Sequence, residues 1–312
     1  MTSFRRLSVV IPVYNEMRTL PELLTRVKQA PTCGLALEII AVDDGSLGAP
    51  PKASALSDAQ IAGEILRLAR NVGHQGAIAI GLARAAALKD LAACVVMDSD
   101  GEDIPAQIPL LVQKAELEQS KKIIFAQRKK RQESLFFRMG YFFYKKLFHF
   151  LTGQKINFGN YSIIPSLLMS KVVHQNNIWN HYSGGIIQSK IPFDKILLDR
   201  GNRYQGVSKM NFNNLILHGL SSIAVYFDYL SLKILRFSLF GILLCTISVL
   251  IVLFKKYVTD SAIPGWASSL LLIISGIILQ LFSVTLIVLL MQLSSRKNIN
   301  PPNPKVYIDF IE

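Results

Sequence analysis

The sequence has few cysteines: Cys33, Cys94 and Cys245 are odd in number and widely spaced. Disulfide-stapled domains and structural zinc sites both need cysteines or histidines paired at short spacing. The five histidines form no His-x-x-x-His or His-Glu-x-x-His pair. The sequence therefore predicts neither a disulfide framework nor a zinc centre, and each histidine is expected to be an ordinary polar or packed residue.

Acidic residues are also scarce, with 21 Asp and Glu against 34 Lys and Arg and a net charge of +13. Nevertheless Asp98, Asp100, Glu102 and Asp103 follow the apolar run VVM within six positions. Carboxylates this close raise one another's pKa unless a cation relieves the repulsion. Two interpretations stay open locally: a solvated acidic turn, since Asp-Gly is common in turns, or a cation site.

Uncharged runs are confined to one part of the chain. Residues 237–254 and 266–293 contain no charged side chain. About 20 apolar residues are needed to cross the hydrocarbon core of a bilayer. These runs therefore predict two transmembrane helices joined by a short loop, in preference to two buried core helices.

The first residues, MTSFRRLSVVIPVYNE, have only a short apolar run, broken by Pro12, and no small-residue cleavage site, so they do not predict a signal peptide. We expect the residues before the first span to stay in the cytosol and the tail, 294–312, to return to that side. Arg236, Arg296, Lys297 and Lys305 agree with this orientation, whereas Lys255 and Lys256 in the intervening loop weaken it.

The first ~125 residues alternate apolar strand-like runs with helical stretches, which predicts a parallel α/β sheet. The predicted strands are residues 7–13, 37–44, 64–69, 94–98 and 122–126. Residues 16–29 are predicted to form the first helix, because Leu20, Leu23, Leu24 and Val27 recur at helical spacing. Ligands bind beyond the carboxyl ends of such strands. All five predicted strand ends carry polar residues: 14–16, 43–46, 71–75, 98–100 and 127–128. This accumulation on one edge predicts a ligand site.

An Asp-x-Asp at a strand end can hold Mg²⁺ or Mn²⁺, which bind carboxylate oxygens and phosphate together. The segment NRYQGVSK, residues 202–209, supplies a basic counterpart, because Arg203 and Lys209 flank Gly206 and could close over a diphosphate. The alternative is a basic surface turn near the membrane.

Basic and aromatic residues interleave over residues 128–150. This pattern favours the headgroup layer of an anionic membrane, and the alternative is a core helix with a basic outer face. Nucleic acid is not expected as a partner, because a membrane-anchored chain already accounts for the positive charge. Residues 211–236 form a second amphipathic, juxtamembrane stretch.

Together SVVIPVYNE, VDDGS, DSD and RYQGVSK resemble inverting family-2 glycosyltransferases with the GT-A fold, an α/β nucleotide-sugar-binding fold with a mostly parallel sheet. The nearest likeness is to the polyprenyl-phosphate branch, which includes dolichol-phosphate mannose synthases and bacterial undecaprenyl-phosphate glycosyltransferases with paired C-terminal membrane helices. The resemblance covers residues 7–210, which would form the catalytic domain, 1–210. It implies an integral protein of the inner (plasma) membrane with a cytosolic catalytic domain.

The resemblance also implies roles for individual residues. The nucleotide-sugar pocket would comprise Pro12, Tyr14, Glu16, Asp43, Asp44, Asp98, Ser99, Asp100 and Arg128. Asp98, Asp100 and Glu102 would hold the metal, although the family pattern DADLQDPPE has glutamine where this chain has Glu102. Arg128, Arg203 and Lys209 would bind phosphate, and Asp103 would lie near the reacting centre. The family's VDDGSxDxT is VDDGSLGAP here, so the loop after Ser46 departs from the pattern.

By this resemblance, the expected reaction is attack of a polyprenyl phosphate, expected to be undecaprenyl phosphate, on a nucleotide-sugar with inversion of the anomeric carbon. Two alternatives remain. A processive polysaccharide synthase would need a Gln-x-x-Arg-Trp motif, which neither Trp179 nor Trp266 fits. A catalytically silent membrane scaffold would not need aspartate pairs at two strand ends. The sequence leaves open whether the protein forms a homo-oligomer.

Overall fold

The computed structural model describes residues 5–16, 19–47, 54–128, 146, 149–150, 153, 158–204, 225–258, 265–297 and 305–311. The strands are β1 (Arg6–Val13), β2 (Ala36–Asp43), β3 (Ala62–Arg67), β4 (Leu91–Val96), β5 (Ile123–Arg128), β6 (Ser162–Pro165) and β7 (Phe193–Leu198). The α-helices are α1 (Leu20–Gln29), α2 (Ala55–Asp58), α3 (His74–Ala86), α4 (Ile108–Leu117), α5 (Ser166–Val173), α6 (Tyr182–Gln188), α7 (Phe227–Tyr257) and α8 (Trp266–Lys297). Short 3₁₀ helices cover Pro105–Gln107, Asn176–Trp179 and Val306–Phe310.

The seven strands form one sheet in the order β3-β2-β1-β4-β6-β5-β7. Among the strands of the described residues, only β6 runs antiparallel to its neighbours, β4 and β5. The other ladders are parallel, so the carboxyl ends of β1 to β5 and β7 share one edge. The prediction of a mostly parallel α/β sheet is confirmed, and β6 and β7 are additions to it.

Apolar side chains cover both faces of the central strands, so β1 is buried from Leu7 to Val13. Helices α3, α5 and α6 pack on one face, and α1 and α4 pack on the other. Gly81 lets α3 lie close to the sheet, because a Cβ there would lie 2.4 Å from Val10 Cγ1. The two layers hold the shared strand edge in place.

The described chain divides into two compact units. The first takes the described residues of 1–143, 155–225 and 301–312, and therefore includes the sheet and the segment 305–311. The second takes those of 144–154 and 226–300. Most of the basic-aromatic stretch 128–150 and the juxtamembrane residues 211–224 lie outside the described residues. Their predicted roles stay predictions.

The second unit is built on two long apolar helices, both of sufficient length and hydropathy to cross a membrane. Their most apolar windows have mean hydropathies of 2.7 and 2.6 and are only 11% and 6% buried. The helices pack through Val252, Ala267 and Ile274, while many large apolar side chains along both remain exposed. Helix α7 begins at Phe227, so the end of the predicted juxtamembrane segment and the first predicted span form one continuous helix.

Candidate active site

The end of β2 places two aspartates beneath the shared strand edge. Asp43 is fully buried, and its Oδ1 accepts hydrogen bonds from the backbone N–H and the hydroxyl of Ser46. Its Oδ2 is buried without a hydrogen-bond partner in the part of the chain that the structure describes. A buried carboxylate oxygen is costly unless a donor reaches it. Asp43 is therefore suited to accept a hydrogen bond from a ligand.

Asp44 is nearly buried as well, and the loop after β3 holds it. Val72 N–H donates to Asp44 Oδ1 at 2.7 Å, and Asn71 Nδ2 donates to the Asp44 carbonyl at 3.0 Å. Burial raises the pKa of Asp44, and the hydrogen bond from Val72 opposes that shift. Gly45 adopts φ +65°, and a Cβ there would lie 2.9 Å from Asn71 N, so glycine allows the two loops to touch.

Side-chain hydrogen bonds join the ends of three strands. Ser99, after β4, donates to Glu16 Oε2 at 2.6 Å. Asn15, after β1, donates its N–H to Ser46 Oγ at 2.9 Å. Tyr14 is 41% exposed on this edge. The structure therefore brings together the strand ends that contain Glu16, Asp43, Asp44 and Ser99, while Pro12 lies within β1 opposite Val42.

The four carboxylates after β4 adopt different environments. Asp103 is buried, and its Oδ2 accepts the N–H of Asp98 at 2.9 Å. His74 Nε2, at the start of α3, lies 3.2 Å from Asp98 Oδ1. Burial by itself lowers the pKa of His74, but neighbouring Asp98 raises it and the net shift is upward. Asn160 Nδ2 also lies 3.1 Å from His74 Nε2.

Two arginines from the segment after β7 bind the remaining carboxylates. Arg203 places Nη2 3.0 Å from Asp100 Oδ2 and Nε 2.9 Å from Glu102 Oε1. Arg200 also pairs with Glu102. Burial raises the pKa of Asp100, and Arg203 opposes that shift. The acidic cluster is therefore largely covered and paired with arginines, unlike the solvated turn that was the alternative.

Close backbone contacts attach this arginine segment to the turn after β4. Gly201 N–H donates to the Glu102 carbonyl at 2.8 Å, and Tyr204 N–H donates to the Asp100 carbonyl at 3.1 Å. A Cβ at Gly201 would lie 2.5 Å from the Gly101 oxygen. The segment thus presents Arg200 and Arg203 to the carboxylates. Lys209 lies outside the described residues.

The family model for glycosyl transferase family 2 matches residues 8–174, which contain both aspartate pairs. The chain belongs to glycosyl transferase family 2. The match ends before the arginine segment at 200–204, so the family model itself does not cover those cations.

Curated relatives of this family 2 chain include the undecaprenyl-phosphate 4-deoxy-4-formamido-L-arabinose transferases of Salmonella paratyphi B and Salmonella newport. Each is 38% identical over 137 residues, covering 42% of this chain and 39% of the relative. The chain therefore matches about two-fifths of the length of these relatives.

Solved structures show the same fold. Glucosyl-3-phosphoglycerate synthase from Mycobacterium tuberculosis, solved with Mn²⁺ and UDP-glucose, matches with a TM-score of 0.53 and 15% identity, over 72% of this chain and 80% of that one. Mannosyl-3-phosphoglycerate synthase from Rubrobacter xylanophilus matches with a TM-score of 0.50 and 17% identity, over 71% and 72% of the two chains. At these identities the likeness concerns the fold, and it confirms the predicted GT-A architecture.

The predicted metal ligands of this family 2 chain fit a divalent cation unequally. Asp98 and Asp100 offer the carboxylate oxygens that Mg²⁺ and Mn²⁺ prefer. Glu102 is paired with both Arg200 and Arg203, whereas Asp100 is paired, within the described part of the chain, with Arg203 alone and Asp98 lies beside His74. Across the described residues, no group of three or more Asp, Glu, His or Cys side chains is arranged to hold a metal ion. Asp98 and Asp100 therefore have the donor chemistry that a metal needs, and the assignment of all three residues as metal ligands stays a prediction.

Sequence reasoning missed Asn160 and Arg200, and it included His74 only within the polar strand end 71–75 without singling it out. His74 contacts both Asn160 and Asp98. Neither His74 nor Asn160 belongs to a motif that carries the family resemblance. Arg200 lies three positions before Arg203, and that proximity was the available signal. Arg128 ends β5 opposite Leu198, which places its backbone on the same strand edge. Its assigned role in phosphate binding stays a prediction.

Proposed function

We propose that this protein transfers a sugar from a nucleotide-diphosphate-sugar to a polyprenyl phosphate, with undecaprenyl phosphate the expected acceptor, and inverts the anomeric carbon. The observation that carries the proposal is the convergence of Asp43, Asp44, Asp98 and Asp100 with Arg203 on one strand edge. Membership of family 2 and relatives named for transfer to undecaprenyl phosphate support it.

The donor would lie across the ends of β1, β2 and β4. Asp43 and Asp44 would accept hydrogen bonds from the nucleoside, and the Ser99–Glu16 hydrogen bond would hold the edge of its pocket. Arg203 would turn from Asp100 and Glu102 to the diphosphate, where its guanidinium stabilises the negative charge of the departing nucleoside diphosphate. Lys209 and Arg128 would add charge to the same group.

A divalent cation held by Asp98 and Asp100 would supply further stabilisation of the diphosphate charge when bound. Solved structures of the same fold that contain Mn²⁺ or Mg²⁺ with uridine-diphosphate ligands support the proposal of a cation. Metal dependence of this chain is part of the proposal.

The acceptor needs positioning more than deprotonation. A phosphate monoester has a second pKa near ~6, so it is mostly dianionic at neutral pH. Asp103 already accepts the N–H of Asp98 and is buried, so it would orient the acceptor or sugar and is not required as a general base.

The two apolar helices would bring this edge to the lipid. Both exceed the ~20 residues needed to span a bilayer. We place the catalytic domain on the cytosolic face of the inner membrane, where the hairpin raises the effective concentration of a lipid acceptor. The basic-aromatic stretch 128–150 would contribute further contacts with anionic headgroups.

The test combines purified full-length protein, undecaprenyl phosphate and a panel of nucleotide-sugars, with Mg²⁺, Mn²⁺ or a chelator. We expect one nucleotide-sugar to give a lipid with the mass of a polyprenyl-monophosphate-sugar. NMR should show that its anomeric configuration is opposite to that of the donor, and the chelator should abolish product formation. Repeated sugar addition would indicate a processive enzyme. No lipid product with any donor, together with no nucleotide binding, would indicate a silent scaffold.

A further inference from the structure

The segment 305–311, which follows the two apolar helices in sequence, packs against the sheet domain. Its 3₁₀ helix Val306–Phe310 contacts α3, and Ile311 forms an antiparallel bridge with Leu68. Ala69 N–H donates to the Phe310 carbonyl at 2.9 Å. The segment therefore adds a short strand-like contact immediately after β3.

Aromatic contacts extend this docking. The centroids of the Phe310 and Trp179 rings lie 5.9 Å apart. The guanidinium of Arg70 lies over the Phe310 ring, 5.3 Å from its centroid. Phe310 is partly buried against the core cluster that contains α3. In contrast, Ile308 of the same segment is 57% exposed. The Phe310 ring thus adds side-chain contacts to the backbone contacts with the loop after β3, and Tyr307 and Ile311 pack against the same core cluster.

That loop is the one that holds Asp44. The chain passes from Ala69, bound to Phe310, to Asn71 and Val72, which donate to Asp44. Residues 69–73 belong to neither a strand nor a helix, so their position depends on such side contacts. We infer that Phe310 is a positioning residue for the nucleotide pocket, which it organises through Arg70 and the hydrogen bonds to Asp44.

The inference rests on the proposed function, because it assigns Asp44 to nucleotide binding. It predicts that Phe310→Ala weakens nucleoside-diphosphate binding about fivefold, the size of one aromatic or cation–π contact. The turnover number at saturating donor should stay within about twofold, because Phe310 touches none of the reacting groups. The amide of Val72 should exchange with solvent faster, because its loop opens more readily.

The experiment uses full-length protein in detergent, with UDP and GDP as probes in titration calorimetry, hydrogen exchange of the 68–76 peptide, and steady-state kinetics. Ile308→Ala is the matched control, because it removes an exposed apolar side chain from the same segment. This variant should match wild type in nucleotide affinity, hydrogen exchange and kinetics. Phe310→Tyr, which keeps the ring, should restore binding.

The results of these measurements distinguish failure of the positioning role of Phe310 from failure of the proposed function. If wild type binds neither UDP nor GDP and no donor of the panel gives a lipid product, the proposed function fails, and unchanged exchange at Val72 in Phe310→Ala would then still overturn the positioning role. If wild type binds and Phe310→Ala binds equally well with unchanged exchange at Val72, the positioning role is wrong. If Phe310→Ala fails to fold, Phe310→Leu takes its place, and a lower unfolding temperature with an unaltered dissociation constant would show a structural role alone and overturn the inference.

Discussion

Replacing Arg203 by alanine removes the guanidinium that binds both Asp100 and Glu102. The pairs are partly open to solvent, with side chains 31%, 19% and 14% exposed for Arg203, Asp100 and Glu102. Partly exposed ion pairs contribute ~0–1 kcal/mol to folding. Arg200 also remains on Glu102 in the variant. We therefore expect the free energy of unfolding to fall by about 1 kcal/mol or less.

The expected effect on turnover is much larger. In the proposed reaction Arg203 faces charge that develops on the departing nucleoside diphosphate, and loss of one such donor typically lowers the rate by ~10²–10³. At 1.36 kcal/mol per factor of ten, this corresponds to about 3–4 kcal/mol of transition-state stabilisation. The assay measures lipid-linked sugar at saturating donor beside thermal unfolding of the same preparation.

Arg84→Ala is the matched control. Arg84 pairs with Glu64 at 2.7 Å, with side chains 26% and 33% exposed, so it resembles Arg203 in geometry and solvation. It lies ten positions after His74 on α3, which is ~15 Å along a helix. It should lose similar stability and no turnover. If Arg203→Ala stays within a few-fold of wild type, or Arg84→Ala loses as much activity, the catalytic assignment of Arg203 is wrong.

Three further predictions follow from the strand edge and the helices. Burial raises the pKa of Asp44 in the folded protein above its ordinary value of 3.8. Between the unfolded and the folded pKa, the folded protein binds more protons than the unfolded chain, so the free energy of unfolding falls as pH rises through this range. Asp44→Asn should therefore unfold at an equal or higher temperature at pH 7 while losing nucleotide affinity; a clear loss of stability would contradict this. Gly45→Ala should cost more stability in chemical denaturation than Gly34→Ala by about 1 kcal/mol or more, because both have positive φ but only Gly45 also meets backbone atoms within 3.0 Å; equal costs would refute the close-contact argument. Replacing residues 226–300 by a flexible linker should preserve nucleotide binding in calorimetry and abolish most transfer to long-chain polyprenyl phosphate in bilayers, whereas lost binding would show that the hairpin supports the catalytic fold.

Three elements, β1, α1 and β6, show which parts of the fold the sequence patterns predicted and which they did not. The apolar run of β1 and the helical spacing of Leu20, Leu23, Leu24 and Val27 predicted both elements, because burial on a fixed period is a local property. Helix α1 begins at Leu20, later than the predicted Glu16, and the Glu16 side chain accepts a hydrogen bond from Ser99 at the strand edge. β6 has only four residues, too few for a period to be visible, and it was missed.

The sequence by itself determined the α/β class, the aspartates at two strand ends and the two apolar helices. Each follows from residues close in sequence: strand ends lie on one edge because the strands are parallel, and long uncharged runs can cross a bilayer by length alone. The family itself was indicated by the resemblance of SVVIPVYNE, VDDGS, DSD and RYQGVSK, and the family model then showed it.

Only the tertiary structure decided which cations meet which carboxylates. Arg203 reaches Glu102 across 101 positions and Ser99 reaches Glu16 across 83, distances over which no local period carries information. The docking of Phe310 beside Arg70 likewise depends on a segment returning after two long helices. Such contacts arise because parallel strands and their crossover connections bring loops that are remote in sequence to one edge of the sheet. The sequence shows that these loops exist, but it does not show which of them contact each other.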